Sequence, residues 1–261
     1  MIVPALENLK MRHGMCIADT KFMGNLFKKS FMPLMLLGLL TTGCVPQFEK
    51  ANGDLMVLDS SSAEGLLSKT STGNQSLGDL TTLRNQGYTI SYLSMSSSDI
   101  QSVNGHNGGG YKISGSAITI YVSNGLASQE QAHVIAHELV HIKDDLEVDF
   151  YLRSYPYVST ASQNFVSTYK TQGVNNFDQR VVSYVLGTLF CTEARAYSRN
   201  QQLANEGLQT NFFAKGSSLP QFIDQAYIAK FGVSYGSYAN NMASWCLSNS
   251  SMTQIQGQLV W

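Results

Sequence analysis

The sequence predicts an α+β domain: a small sheet packed on one long capped helix, followed by a mainly helical C-terminal half. Three observations carry that expectation. Two short β-prone runs, at 88–93 and 117–122, come before any long helical pattern. From about residue 128 the apolar spacing changes to three and four residues. The 261 residues are 43% hydrophobic, which is enough for a substantial core. Only 13% are charged, about half the usual share of roughly 25%.

The run 88–93 (YTISYL) and the run 117–122 (AITIYV) are rich in β-branched and aromatic residues and read as strands. Between them 104–110 (NGHNGGG) reads as a turn or loop. The strands suit pairing around that connection, and other sheet orders fit equally well. Ser128 reads as an N-cap, with Gln131 completing a capping box. The helix it opens should run from 129 to about 145, or on to 150, on Val134, Ile135, Leu139, Ile142 and Leu146. Tyr155 and Pro156 end it. A further helix is expected over 162–171. A long one is expected over about 178–204, stopped at Gly207. A short helix over 220–230 and a helical tail from 242 follow.

Upstream of this domain, Lys28 and Lys29 precede the apolar stretch 31–40 (FMPLMLLGLL) and then Thr41, Thr42, Gly43 and Cys44. A charged start, a short apolar core and small residues before a cleavage point describe an export signal. The Gly43-Cys44 junction resembles a bacterial lipoprotein signal, which implies lipidation of Cys44 and a membrane anchor. A plain signal peptide is the other reading, because Leu40 stands four residues before Cys44 rather than three. Met23 is a natural start for such a signal, so 1–22 reads as an over-early start or a long leader. Residues 1–43 are therefore set aside as leader and signal. Residues 44–82, rich in Ser, Thr, Gly and Asn, read as a flexible tether. Residues 83–261 form the expected catalytic domain.

The net charge of −1 excludes a nucleic-acid partner argued from charge, since no basic excess exists to neutralise phosphates. Four cysteines are too few for a disulfide-dense scaffold. If Cys44 carries lipid, Cys191 and Cys246 form an even pair for an oxidising compartment. The alternative is two buried thiols.

The chemistry concentrates at 136–143 (AHELVHIK), an H-E-x-x-H sequence inside the predicted helix. His137 and His141 stand at i and i+4, so both imidazoles lie on one face and can grip one Zn²⁺. Glu138 is placed to act as general base on a metal-activated water. Three of the five histidines fall between 133 and 141. A catalytic zinc needs a third protein ligand. A third His at the next expected spacing is absent: Asp144 and Glu147 stand where Gly and His would be needed. Glu193, in 191–197 (CTEARAY) on the long second helix, is the candidate instead.

H-E-x-x-H with a downstream helical E-x-x-A resembles the gluzincin group of zinc metallopeptidases. The resemblance covers the two active-site helices. It implies a zincin-like fold, Glu193 as third ligand, one zinc per chain and peptide or protein substrates, and the export signal puts that cleavage in the cell envelope. It also implies 117–122 as the edge strand beside which a peptide binds. Some members carry Asp shortly after that Glu as partner of a His ligand. This chain has Tyr197 there.

His133 is either a partner of the site or a half-exposed residue one turn before His137. Asp145 either orients an imidazole or belongs to a solvated acidic face with Asp144, Glu147 and Asp149. Tyr197, Tyr111, Tyr121 and His106 are candidates to stabilise an oxyanion. Residues 105–110 read as a lip over the cleft or a hairpin turn. The rival functions are a non-catalytic envelope lipoprotein that keeps zinc for stability, with His133 or Asp145 as fourth ligand, a non-haem Fe²⁺ site, and a binding module without metal.

Overall fold

The computed structural model describes residues 56–57, 59–96, 108–154, 179–210, 219–229 and 233–259. The leader and signal, Cys44, His106 and the helix expected over 162–171 lie outside them. The described chain is mixed α+β and mostly helical. In order it forms β1 (Met56–Val57), α1 (Ser61–Leu67), α2 (Ser71–Asn85), β2 (Thr89–Met95), β3 (Gly109–Ser114) and β4 (Ala117–Ser123). Then come α3 (Ser128–Ser154), α4 (Gln179–Asn205), α5 (Leu219–Ile223), α6 (Ala239–Ser248) and α7 (Met252–Leu259). Among the described residues no helix is long and apolar enough to cross a membrane.

The tether expected over 44–82 is corrected from residue 61 onward, where α1 and α2 stand. Ala63, Leu67, Leu80 and Leu83 are buried in the same core as the sheet and α3. The Ser/Thr-rich composition misleads because the hydroxyls turn inward on the helix itself. Ser76 donates to the Thr72 carbonyl, Thr81 to Leu77 and Thr82 to Gly78. These i−4 bonds satisfy each hydroxyl without leaving the helix. Thr70 caps α2 by accepting from the Gly73 N–H at 3.0 Å. Glu206, just past α4, takes the Thr72 N–H at 2.9 Å and ties the start of α2 to the end of α4.

The sheet order is β1-β2-β4-β3. Strands β2 and β4 pair in parallel, from Thr89 opposite Ala117 to Met95 opposite Ser123. Strands β3 and β4 form an antiparallel hairpin through Gly115, whose φ of 59° demands glycine. Two expectations change here. Strand 117–122 is interior, flanked on both sides, and among the described residues Gly109–Ser114 is the edge strand next to it. Gly109 and Gly110 belong to that strand, opposite Val122 and Tyr121, and not to a turn. Gly109 has a packing reason: a Cβ there would sit 2.2 Å from Val134 Cγ1 and 2.8 Å from the Tyr121 carbonyl. Only glycine lets β3 lie this close to α3.

Helix α3 begins one residue earlier than the capping box suggested. Ala127 is the cap, its carbonyl taking the Gln131 N–H at 2.9 Å. The reciprocal bond comes from Glu130, which accepts the Ala127 N–H at 3.1 Å. Helix α4 ends as expected. Gly207, at φ 104°, lets its N–H reach the Ala204 carbonyl and the Leu208 N–H reach Leu203. This double bond pattern satisfies the last carbonyls of the helix. The helix expected over 220–230 is α5 followed by a π-helical turn, Asp224–Ile228. The tail is two helices, broken at Asn249, whose backbone is extended.

The core has two parts. One joins α1, α2, the sheet, α3 and the end of α4. The other joins α4 with α5, α6 and α7. Cys191 on α4 and Cys246 on α6 are joined by a disulfide with Cα atoms 5.2 Å apart. Helices α3 and α4 pack together where the two parts meet.

Candidate metal centre

Helices α3 and α4 run antiparallel, because rising numbers on one meet falling numbers on the other. His133 and His137 contact Asn200, and His141 contacts Thr192. The i, i+4 spacing on α3 brings the two imidazoles edge to face, with ring centroids 4.7 Å apart. Their Nε2 atoms are 3.0 Å apart. Glu193 enters from α4, fully buried, with a carboxylate oxygen 3.7 Å from each Nε2. One donor atom from each of His137, His141 and Glu193 falls within 4.8 Å of the others. This is the trio expected from sequence. Glu193 is not a surface residue paired with a neighbouring arginine: Arg195 bonds Asp144, and Arg199 bonds Ser76 and Asp79.

The outer nitrogens of both rings are held. His137 Nδ1 donates to Asn200 Oδ1 at 2.7 Å. His141 Nδ1 donates to Thr192 Oγ1 at 3.0 Å, and that hydroxyl donates on to Asp144 at 3.0 Å. Arg195 Nε spans both oxygens of Asp144 at 3.2 and 3.1 Å. With Nδ1 protonated on both rings, the Nε2 lone pairs point at each other and at Glu193. Two bare nitrogens and a carboxylate converging in a buried site match the donor set of a borderline-soft divalent cation.

Glu138 is buried beside this group. Burial first, then the charges of Glu193 and Asp145, push its carboxyl up to about 8. Tyr197 packs its ring edge-on against His137, with centroids 4.7 Å apart, and its hydroxyl is 3.5 Å from that of Tyr227. Burial raises both phenols, and the Glu193 charge adds to it. Tyr111 on β3 stacks on His141 at 6.3 Å and bonds Asp145.

Other expectations are settled by position. His133 is not half-exposed: it is 1% exposed, with Nε2 on the Leu208 carbonyl and Nδ1 facing Asn200. Asp145 bonds Tyr111, and its neighbour Asp144 is the carboxylate that reaches His141 through Thr192. Asp144 is buried, so it does not belong to a solvated face. Glu147 accepts the Met252 N–H at 2.8 Å, where α7 begins. Tyr121 packs with Met95 and Leu93. Asn200, Thr192, Asp144 and Tyr227 were not legible beforehand. Only the placement of Asn200 two turns after Glu193 on the same helix hinted at a shared face.

No protein-family model matches the chain, and neither a curated protein nor a solved structure matches it.

Proposed function

We propose that the chain is a zinc-dependent metallopeptidase of zincin-like build, exported to the cell envelope and lipid-anchored at Cys44. The observation that carries this is the convergence of His137, His141 and Glu193 within 4.8 Å, with Glu138 next to His137 on the same helix. His137, His141 and Glu193 would hold the ion. Zinc, when bound there, supplies Lewis acidity, activating a water and polarising the scissile carbonyl.

The chain's own groups do the rest. Glu138 takes the proton of the attacking water and delivers it to the leaving amine. The edge strand Gly109–Ser114 offers its outer N–H and C=O groups to an extended peptide. Tyr111, from that strand, stacks on His141, which keeps the edge beside the ligand group. Tyr197 packs on His137, and its hydroxyl and that of Tyr227 both feel the Glu193 charge.

A closed structural zinc would need a fourth protein ligand. The two candidates for it are engaged elsewhere, His133 on Leu208 and Asn200, and Asp145 on Tyr111. That favours catalysis over a purely structural ion. The test is metal analysis of the purified full-length chain beside Glu193→Ala. One zinc per chain, lost in the variant, with cleavage of a peptide library, supports the reading. No metal retained after zinc is supplied overturns it, and iron in its place would make the site an iron centre.

A further inference from the structure

A chain of polar groups runs behind His137, and the proposed hydrolysis does not use it. It begins at the backbone carbonyl of Leu208, set in place by the left-handed turn at Gly207. His133 Nε2 lies 2.5 Å from that carbonyl. A carbonyl only accepts, so Nε2 carries the proton and Nδ1 is left as an acceptor. Asn200 Nδ2 donates to His133 Nδ1 at 3.0 Å and to the His133 backbone carbonyl at 2.8 Å. Both amide hydrogens are thereby spent. A flipped amide would set Oδ1 against that carbonyl, acceptor against acceptor. Oδ1 therefore faces His137 Nδ1, at 2.7 Å, and it too only accepts. His137 carries its proton on Nδ1 and turns Nε2 toward His141 and Glu193.

We infer that Asn200 is a positioning residue that relays the tautomer set on His133 by the Leu208 carbonyl, Nε2–H, into the opposite one, Nδ1–H, on His137 one turn along α3. The amide is suited where an acid is not. A carboxylate at 200 would face the His133 carbonyl with a second acceptor. It would also add a negative charge to a buried region that already holds Glu138 and Glu193. The consequence for zinc affinity rests on the metal reading above; the tautomer assignment does not.

The test uses metal-free, ¹⁵N-labelled full-length chain, with long-range proton–nitrogen correlation of the histidine rings near neutral pH. The wild type should show His133 as the Nε2–H form and His137 as the Nδ1–H form. Asn200→Ala should release His137 to mixed tautomers and leave His133 unchanged, because Leu208 still holds it. Zinc binding, read by competition with a chelator dye, should weaken by about 10- to 100-fold. Asn200→Asp retains the acceptor for His137, and it should restore the Nδ1–H form and part of the affinity. An Nε2–H form of His137 in the wild type would overturn the inference. So would an Asn200→Ala variant with both tautomer and affinity unchanged. If Asn200→Ala does not fold, the wild-type and Asn200→Asp spectra decide. Tautomers as stated in a chain that takes up no zinc would uphold the relay and overturn the metal reading alone.

Discussion

Asp144 is where two electrostatic effects oppose each other most directly, and their balance sets a measurable pH dependence. Its side chain is 2% exposed. Burial favours the neutral acid, while Arg195 at 3.1 Å and the Thr192 hydroxyl favour the ion. Burial prevails and holds the carboxyl up at about 7, against an ordinary 3.8. Arg195 is 21% exposed and shares its charge with water, and Glu147 adds a like charge. A shift of roughly three units, at about 1.4 kcal/mol each, amounts to about 4 kcal/mol. The folded-state value is raised, so the contribution is complete below the unfolded value near 3.8 and is lost as pH rises through about 7. Asp144→Asn mimics the protonated acid and lacks that slope. The two proteins should match within about 1 kcal/mol near pH 4, and the variant should be the more stable by about 4 kcal/mol above pH 8. Urea unfolding of the metal-free, disulfide-intact chain across that range measures the difference. A variant less stable than wild type at high pH would show that the Arg195 pair outweighs burial, and a difference independent of pH would refute the assignment to Asp144.

Glu138→Gln should keep zinc and lower peptide hydrolysis by about 10²- to 10⁴-fold, with metal content and initial rates measured on the same preparation. Removing the disulfide with Cys191→Ser and Cys246→Ser opens a link across 55 residues, which the chain-entropy relation puts at about 4 kcal/mol of stability by denaturant titration. Gly109→Ala brings a Cβ to 2.2 Å from Val134 and should destabilise by about 1–3 kcal/mol. It should also move β3 and loosen the stacking of Tyr111 on His141, read as a change in near-ultraviolet dichroism. A neutral Gly109→Ala would mean that β3 does not press on α3.

Features set within one or two helical turns could be read directly. The spacing of His137 and His141 places both rings on one face wherever the helix lies. The stop at Gly207 follows from a backbone turn that glycine adopts without strain. Glu193, 52 residues after His141, was a candidate from its place on the second long helix, and the resemblance of the two helical motifs added to it. The start of α3 was displaced by one residue because Glu130 and Gln131 both suit a cap, and only the backbone path decides which one bonds back. Residues 61–82 were misread because a Ser/Thr-rich segment makes a poor helix alone, and α2 gains its stability by burying Leu80 and Leu83 under the sheet.

Local chemistry is written in the residue order alone: two imidazoles one turn apart, a carboxylate beside them, and a long second helix carrying another. The tertiary structure decided which atoms of those groups face one another. Asn200 and Thr192 hold the outer nitrogens of His137 and His141, Asp144 rather than Asp145 backs one of them, and Gly109–Ser114 rather than 117–122 is the edge strand. The physical reason is range. Periodicity and capping act within a few residues, whereas hydrogen bonds between α3 and α4 join positions 48 to 67 residues apart. They depend on the relative rotation and offset of two packed helices, which no short run of residues encodes.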